Sequence, residues 1–322
     1  MADRIRYNQS QLEKYYDRIA LPESDRQYNI SNLSSDTQLQ FLFRLQNQQL
    51  ITVPFENLTL HYSWHRVVDV NADHLYGKIV GEKRGGYCME NNSFFHTVLL
   101  SLGYDVYTVA ARVHNPTTGR YGGITHCLNV VTIGENSYAV DVGFGARTPT
   151  IPLQLTEEVR DRSDTGQMRL RYDTIPQYLN KKQKVWIYEY RSRDGADWVP
   201  QWCFIDHEVL PEDIRVMNMS PSKSPSSFFT YKVVGVLFTS EKEDYSDEGV
   251  KTDMTLKEAG GDIDGGLIID GNVFKYRKGG VVKWEQTFKT EDERLEALSE
   301  YFGVELTGEN QRAIKGTAGA IA

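Results

Sequence analysis

The spacing of apolar residues divides the chain into two regimes. Over residues 8–22, Leu12, Tyr15, Tyr16 and Ile19 recur at helical intervals until Leu21-Pro22 ends the run. Ser35-Asp36-Thr37 predicts the N-cap of a second helix carrying Leu39, Phe41, Leu42, Leu45 and Leu50. Phe94, Phe95, Val98, Leu99 and Leu102 predict a third, amphipathic helix with Cys88 in its first turn and Leu102-Gly103 as its stop. From Tyr104 the period shortens to two. Strand-like runs follow at 105–112, 128–133, 138–141, 168–172, 185–190 and 201–204, separated by turns such as Asn115-Pro116-Thr117-Thr118-Gly119. The last third mixes both types. Pro211-Glu212-Asp213 opens a short helix, strands are predicted at 231–239, 266–269 and 273–277, and Thr290-Glu291-Asp292-Glu293 caps a closing helix bearing Leu295, Leu298 and Phe302.

The pattern gives an α+β chain: a helical domain over residues 1–103, a β-sandwich or barrel over 104–210, and a mixed domain over 211–322. Residues 153–166 and 240–262 are charged and weakly patterned, so surface loops are expected there. The small-residue tail 316–322 is expected to fray.

Composition narrows the partners. Hydrophobic residues make up 40% of the chain, ample for a core, and the net charge is −8. No basic stripe interleaved with aromatics occurs, which argues against nucleic acid. No apolar run reaches membrane-spanning length and the N-terminus lacks a signal core, so a cytoplasmic protein is expected. Cys88, Cys127 and Cys203 form neither a disulfide framework nor a zinc spacing. His61, His65, His74, His96, His114 and His207 show no ligand spacing either, and no metal is assigned.

The chemistry concentrates in three segments. In Arg84-Gly85-Gly86-Tyr87-Cys88 the glycines are read as freeing the backbone at a helix start, where amide N–H groups and the helix dipole favour a thiolate. A small buried thiol explains Cys88 equally well on its own. His126 stands at the mouth of a β-branched run, and Asp141 ends a short strand before Gly143-Phe144-Gly145. Gly134-Glu135-Asn136 turns one run back on the other, so the hairpin brings His126 and Asp141 to one face. Cysteine, histidine and aspartate together supply nucleophile, base and orienting carboxylate. Cys127, beside His126, is expected to be buried and inert. A cysteine hydrolase and a non-enzymatic binding protein are the rival readings.

These blocks resemble those of the arylamine N-acetyltransferases: Arg-Gly-Gly-aromatic-Cys, Thr-His before an apolar strand, and Val-Asp-Val-Gly-Phe-Gly. Val53-Pro54-Phe55-Glu56-Asn57-Leu58 and the stretch from Met217-Asn218-Met219 to Ser226-Ser227-Phe228-Phe229 are similar to further family blocks in the same order. The resemblance implies a helical first domain, a β-barrel second domain and an α/β lid, with a papain- or transglutaminase-like Cys-His-Asp arrangement. It implies an acyl-coenzyme A donor as co-substrate, acetyl-CoA first with propionyl- and malonyl-CoA as alternatives. No cofactor is bound permanently, and a small aromatic amine or hydrazine is the acceptor. Catalysis falls to Cys88, His126 and Asp141. Coenzyme contacts fall to Gly122, Gly123, Ser220, Ser226 and Ser227, and acceptor contacts to Phe55, Phe144 and Thr125. Arg84 and Glu56 are expected to pair as support for the cysteine loop. Arg112 and Arg147 are the cations within reach of the catalytic strands that could hold a malonyl carboxylate.

Overall fold

The computed structural model describes residues 4–162, 166–243, 245 and 261–321. Helices α1 (Gln9–Arg18), α2 (Ser35–Thr52), a short α3 (Ala72–Tyr76) and α4 (Cys88–Leu102) build the first part. α2 begins with Ser34 as its cap, one residue before the expected position, because that hydroxyl accepts from the Thr37 N–H. α4 stops where Gly103 takes a φ of 94°, a left-handed turn that glycine adopts at little cost. The apolar face of α4 shares one core with Tyr15 and Tyr16 of α1 and Leu42 and Leu45 of α2.

The middle of the chain is an antiparallel eight-stranded sheet. Its strands are β2 (Asp105–Asn115), β3 (Arg120–Ile133), β4 (Asn136–Val140), β5 (Leu153–Gln154), β6 (Val159–Arg162), β7 (Gly166–Asp173), β8 (Val185–Arg191) and β9 (Val199–Glu208). They lie in the order β5-β4-β3-β2-β9-β8-β7-β6, and the sheet curls until β5 and β7 touch. Val109, Leu128, Val130, Leu170, Tyr188 and Trp202 fill its concave side. The segment expected as a loop at 153–166 instead contains β5 and β6. Two-residue and charged edge strands carry no hydrophobic period, and pairing with β4 and β7 holds them.

A second antiparallel sheet follows, in the order β1-β10-β11-β12-β13. It comprises β1 (Phe55–Glu56), β10 (Val234–Ser240), β11 (Ile263–Asp270), β12 (Val273–Lys278) and β13 (Val281–Thr287), with α5 (Pro211–Lys223), α6 (Glu291–Phe302) and α7 (Gly308–Ala313) in the same part of the chain. β1 comes from the helical part, so the two regions are stitched by backbone pairing of Phe55 with Val236 and Glu56 with Gly235. β13 escapes sequence reading because nearly all its residues are exposed. α6 starts on the expected cap, the Thr290 hydroxyl accepting from the Glu293 N–H at 3.3 Å. The expected loop at 240–262 lies for the most part outside the described residues. Among the described residues no helix is long and apolar enough to cross a membrane.

The tail does not fray as far as Ile321. Arg294, 1% exposed, donates to the Gly319 carbonyl at 2.8 Å and the Gly271 carbonyl at 3.1 Å while pairing with Glu291 at 2.6 Å. The Ile321 N–H returns to Glu291 at 3.2 Å, and Ala320 and Ile321 pack against the core under α6. Composition signalled flexibility, but one buried guanidinium organises the segment. Arg294→Met is expected to cost about 3 kcal/mol, since it orphans buried carbonyls and a carboxylate. Urea unfolding measures that loss, and hydrogen exchange should show amides 319–321 exchanging at least as fast as the α6 termini.

Candidate functional site

Cys88 is set by a close approach between two backbones. Gly86 bridges Phe55 in parallel, with Glu56 N–H on the Gly86 carbonyl at 3.0 Å and Gly86 N–H on the Pro54 carbonyl at 3.3 Å. A Cβ at Gly85 would stand 1.8 Å from the Pro54 oxygen, so only glycine fits. Neither Gly85 nor Gly86 has a positive φ. The two glycines therefore supply room rather than the unusual backbone angles expected from the sequence. The next residues open α4, and Glu90 caps it by accepting the Tyr87 N–H at 3.1 Å.

Opposite Cys88 stand β3 and the loop after β4. His126 Nε2 meets Asp141 Oδ2 at 2.8 Å, with both side chains at most 1% exposed. That contact leaves Nδ1 clear of the carboxylate, and Cys88 is near enough to help raise the imidazole. The thiol also lies 3.6 Å from the Thr125 carbonyl. Asp141 Oδ1 accepts from Asn92 Nδ2 and from Gly143 N–H, each at 2.9 Å. Asn92 also binds the Cys127 carbonyl at 2.7 Å and receives the Val142 N–H at 2.9 Å. A Cβ on Gly143 would meet Cys88 Cα and Asn92 Nδ2, both at 2.8 Å, so this glycine lets loop and helix touch. Burial opposes a charged imidazole, but the Asp141 carboxylate outweighs it, and with Cys88 raises His126 from 6.5 to about 10.

Behind the cysteine lies a buried charge cluster. Arg84 binds Glu56 through Nη2 at 3.0 Å, and Lys78 binds Glu90 at 2.6 Å while standing 3.6 Å from Glu56. Burial disfavours the Glu56 carboxylate, yet Arg84 and Lys78 bring it down to about 2. Glu90 is raised, by burial first, with Lys78 opposing and Glu56 adding. Sequence reading missed Lys78, Glu90 and Asn92. Asn92 follows Cys88 by one helical turn, and Glu90 occupies the capping position three residues beyond Tyr87, so both had a positional signal. Lys78 had none.

The remaining candidates spread around this centre. The Phe144 ring lies 5.1 Å from His126, and Phe55 contacts Phe229, itself 5.3 Å from Tyr87. Phe229 ends the Ser226-Ser227-Phe228-Phe229 stretch, and nothing in its sequence pattern assigns it a role. Thr125 is half-buried beside the thiol; Gly122 and Gly123 are exposed, and open space lies above Gly123. Ser220 is exposed on α5, Ser226 pairs with Ser224, and the Ser227 hydroxyl donates to the Pro221 carbonyl at 2.8 Å. These serines lie on or just beyond α5, the helix that packs on β3. Cys127 is fully buried, 3.7 Å from the Cys88 carbonyl, and burial pushes its thiol well up. Among the described residues no cluster could hold a metal ion.

The sign of the pH dependence follows from His126. Its raised value stabilises the fold fully below about 6.5 and is lost as pH rises through about 10. Asp141→Asn removes the main raising cause. Its melting temperature is expected to lie ~5 °C or more below wild type at pH 6 and to converge on it by pH 10. A gap that widens with pH would contradict this.

Comparison with known proteins follows the same lines. A sequence model of the N-acetyltransferase family matches residues 38–245. The chain is similar to an N-malonyltransferase of Gibberella moniliformis, 31% identical over 97% of this chain and 93% of that protein. It is also similar to a Gallus gallus pineal arylamine N-acetyltransferase, 28% identical over 71% of this chain and 78% of that one. Among solved structures, the Nocardia farcinica arylamine N-acetyltransferase superposes with a TM-score of 0.75 at 26% identity, covering 98% of this chain and 99% of its own. The chain belongs to the arylamine N-acetyltransferase family and is an acyltransferase.

Proposed function

We propose that the protein transfers an acyl group from coenzyme A to a small aromatic amine through an acyl-Cys88 intermediate. The observation that carries this reading is the buried His126–Asp141 pair at 2.8 Å beside the Cys88 thiol at the start of α4. His126, held up to about 10, stays an imidazolium at neutral pH and balances a Cys88 thiolate. The thiolate attacks the thioester carbonyl, and the backbone N–H of Cys88 is assigned to the developing oxyanion. Collapse breaks the carbon–sulfur bond to coenzyme A, whose sulfur leaves with the His126 proton. The amine then attacks the acyl-cysteine, His126 takes its proton, and the Cys88 thiolate is expelled. Asp141 holds the imidazole tautomer throughout, and Asn92 holds Asp141.

The coenzyme is assigned to Gly122 and Gly123 at the start of β3 and to Ser220, Ser226 and Ser227 on and just beyond α5, which packs on β3. Phe55, Phe144 and Thr125 are assigned to the acceptor, and the third domain to the lid. Acetyl- and malonyl-CoA are both donors within the family's chemistry. The match to the N-malonyltransferase spans nearly the whole chain, whereas the pineal arylamine N-acetyltransferase matches 71% of it, which favours malonyl. A reducing compartment suits the three free cysteines.

Two measurements test the mechanism. Initial rates at several fixed amine concentrations should give parallel double-reciprocal lines, and intersecting lines would remove the covalent step. Mixing with malonyl-CoA or acetyl-CoA alone should add that acyl mass to Cys88, and Cys88→Ser should reduce turnover by about three orders of magnitude or more. A hydrolase would show no lasting adduct.

A further inference from the structure

The loop that carries Asp141 and Phe144 runs on to Arg147, and there a cavity opens that the chemistry above does not use. It measures about 140 Å³ and lies between the end of β8 and the sheet of β10–β12, walled by Tyr190, Ser192, Phe238 and Gly265. Two guanidiniums line it: Arg147 from the loop and Arg277 from β12. Among the described residues neither meets a carboxylate. Arg147 reaches the Gln201 amide oxygen at 3.5 Å, and Arg277 the Gly280 carbonyl at 3.1 Å. Arg84, Arg169, Arg171 and Arg294 are all paired with glutamates. Two cations converging on one hollow repel each other until an anion enters, and their planar forks suit a carboxylate.

The position of the cavity fits a substrate rather than a stray ion. Arg147 is three residues from Phe144, whose ring is 5.1 Å from the His126 imidazole. Three residues separate their Cα atoms by about 11 Å at most, and the Thr148 N–H on the Gly145 carbonyl at 3.0 Å bends the loop tighter. The loop that sets Phe144 against the catalytic imidazole thus leads directly into this cavity. Arg112, the other cation considered from sequence, donates to the Gly122 carbonyl at 3.2 Å and does not line this cavity. We propose that Arg147 and Arg277 form a carboxylate subsite of the acyl-transfer centre. The carboxylate comes from a dicarboxylic acyl donor or from an acid-bearing aromatic amine. The proposal rests on the acyl-transfer reading above.

The test compares matched pairs of substrates on Arg147→Gln, Arg277→Gln and the double variant. Both side chains are exposed, and circular dichroism confirms folding. One arm uses malonyl-CoA against acetyl-CoA with an uncharged aniline. The other uses para-aminobenzoate against its methyl ester with acetyl-CoA. The acid-bearing member of one pair should lose about ten- to a hundredfold in kcat/KM, as expected for a charge-assisted contact, while its neutral partner stays within twofold. A loss in the first arm assigns the carboxylate to the acyl group, and in the second arm to the acceptor. Equal effects on both members of each pair, or none, overturn the subsite. If wild-type protein never acquires an acyl group on Cys88, the transfer reading fails separately. Calorimetry then decides the subsite: wild type must bind malonate or prefer para-aminobenzoate to its ester, and the double variant must lose that binding. Absence of both behaviours in wild type overturns it.

Discussion

Much of the structure answers to one carboxylate that water does not reach. Asp141 is fully buried, and its oxygens are taken by Asn92, the Gly143 N–H and His126. An unmatched buried carboxylate costs several kcal/mol, so these donors are structural requirements as much as catalytic ones. They arrive from α4, the loop after β4, and β3. Each element must therefore sit at hydrogen-bond distance before the charge is tolerable, and that demand fixes the helical and β regions against each other. Gly143 makes the approach possible, because any side chain there would collide with Cys88 and Asn92.

The four charges behind Cys88 solve a related problem. A carboxylate at the start of α4 caps the helix, but an uncompensated charge there would oppose a thiolate two residues away. Lys78 lies 2.6 Å from that carboxylate, and Arg84 secures Glu56 in turn. Glu56 also accepts the Leu58 N–H at 2.5 Å and belongs to β1. Asn57, its neighbour, donates to the Phe229 and Lys232 carbonyls at 2.9 and 2.8 Å, where His61 Nε2 also binds. With two carbonyls as acceptors, that His61 nitrogen must carry the proton. The Pro-Phe-Glu-Asn segment thus ties the nucleophile loop and the segment leading into β10 to one short strand. Phe229, held by that knot, is placed against Tyr87 and Phe55.

What could be read from sequence was whatever carries a period or a fixed local offset. The core helices and the six main strands of the middle sheet were legible because their apolar residues repeat. Cys88, His126 and Asp141 were legible because a helix start and a hairpin bring them together by local rules. Asn92 and Glu90 could have been found from helical offsets. Lys78 could not, since nothing local to Gly77–Gly81 says which carboxylates will face it. β1, β5 and β6 were missed for the same reason: a two-residue strand, or one with charged faces, exists only through its partner. The tail was misjudged because composition reports a segment's own propensity, whereas Arg294, a distant residue, decides its fate.

The buried centre also limits what it can select. In the proposed reaction Cys88, His126 and Asp141 meet only the thioester carbonyl and the attacking nitrogen, groups common to every donor and acceptor of the class. Selection between acetyl and malonyl therefore falls to residues farther out. Size alone discriminates weakly, since a small change in apolar bulk is worth about 1–3 kcal/mol. A carboxylate is different: without a cation its desolvation excludes the donor, and a cation built to receive it is left unpaired by the neutral analogue. A fold that keeps its catalytic geometry can thus exchange one donor for another by placing charge at the end of the loop that carries the aspartate. Arg147 stands at that end, six residues past Asp141, and its side chain lines a hollow rather than the core.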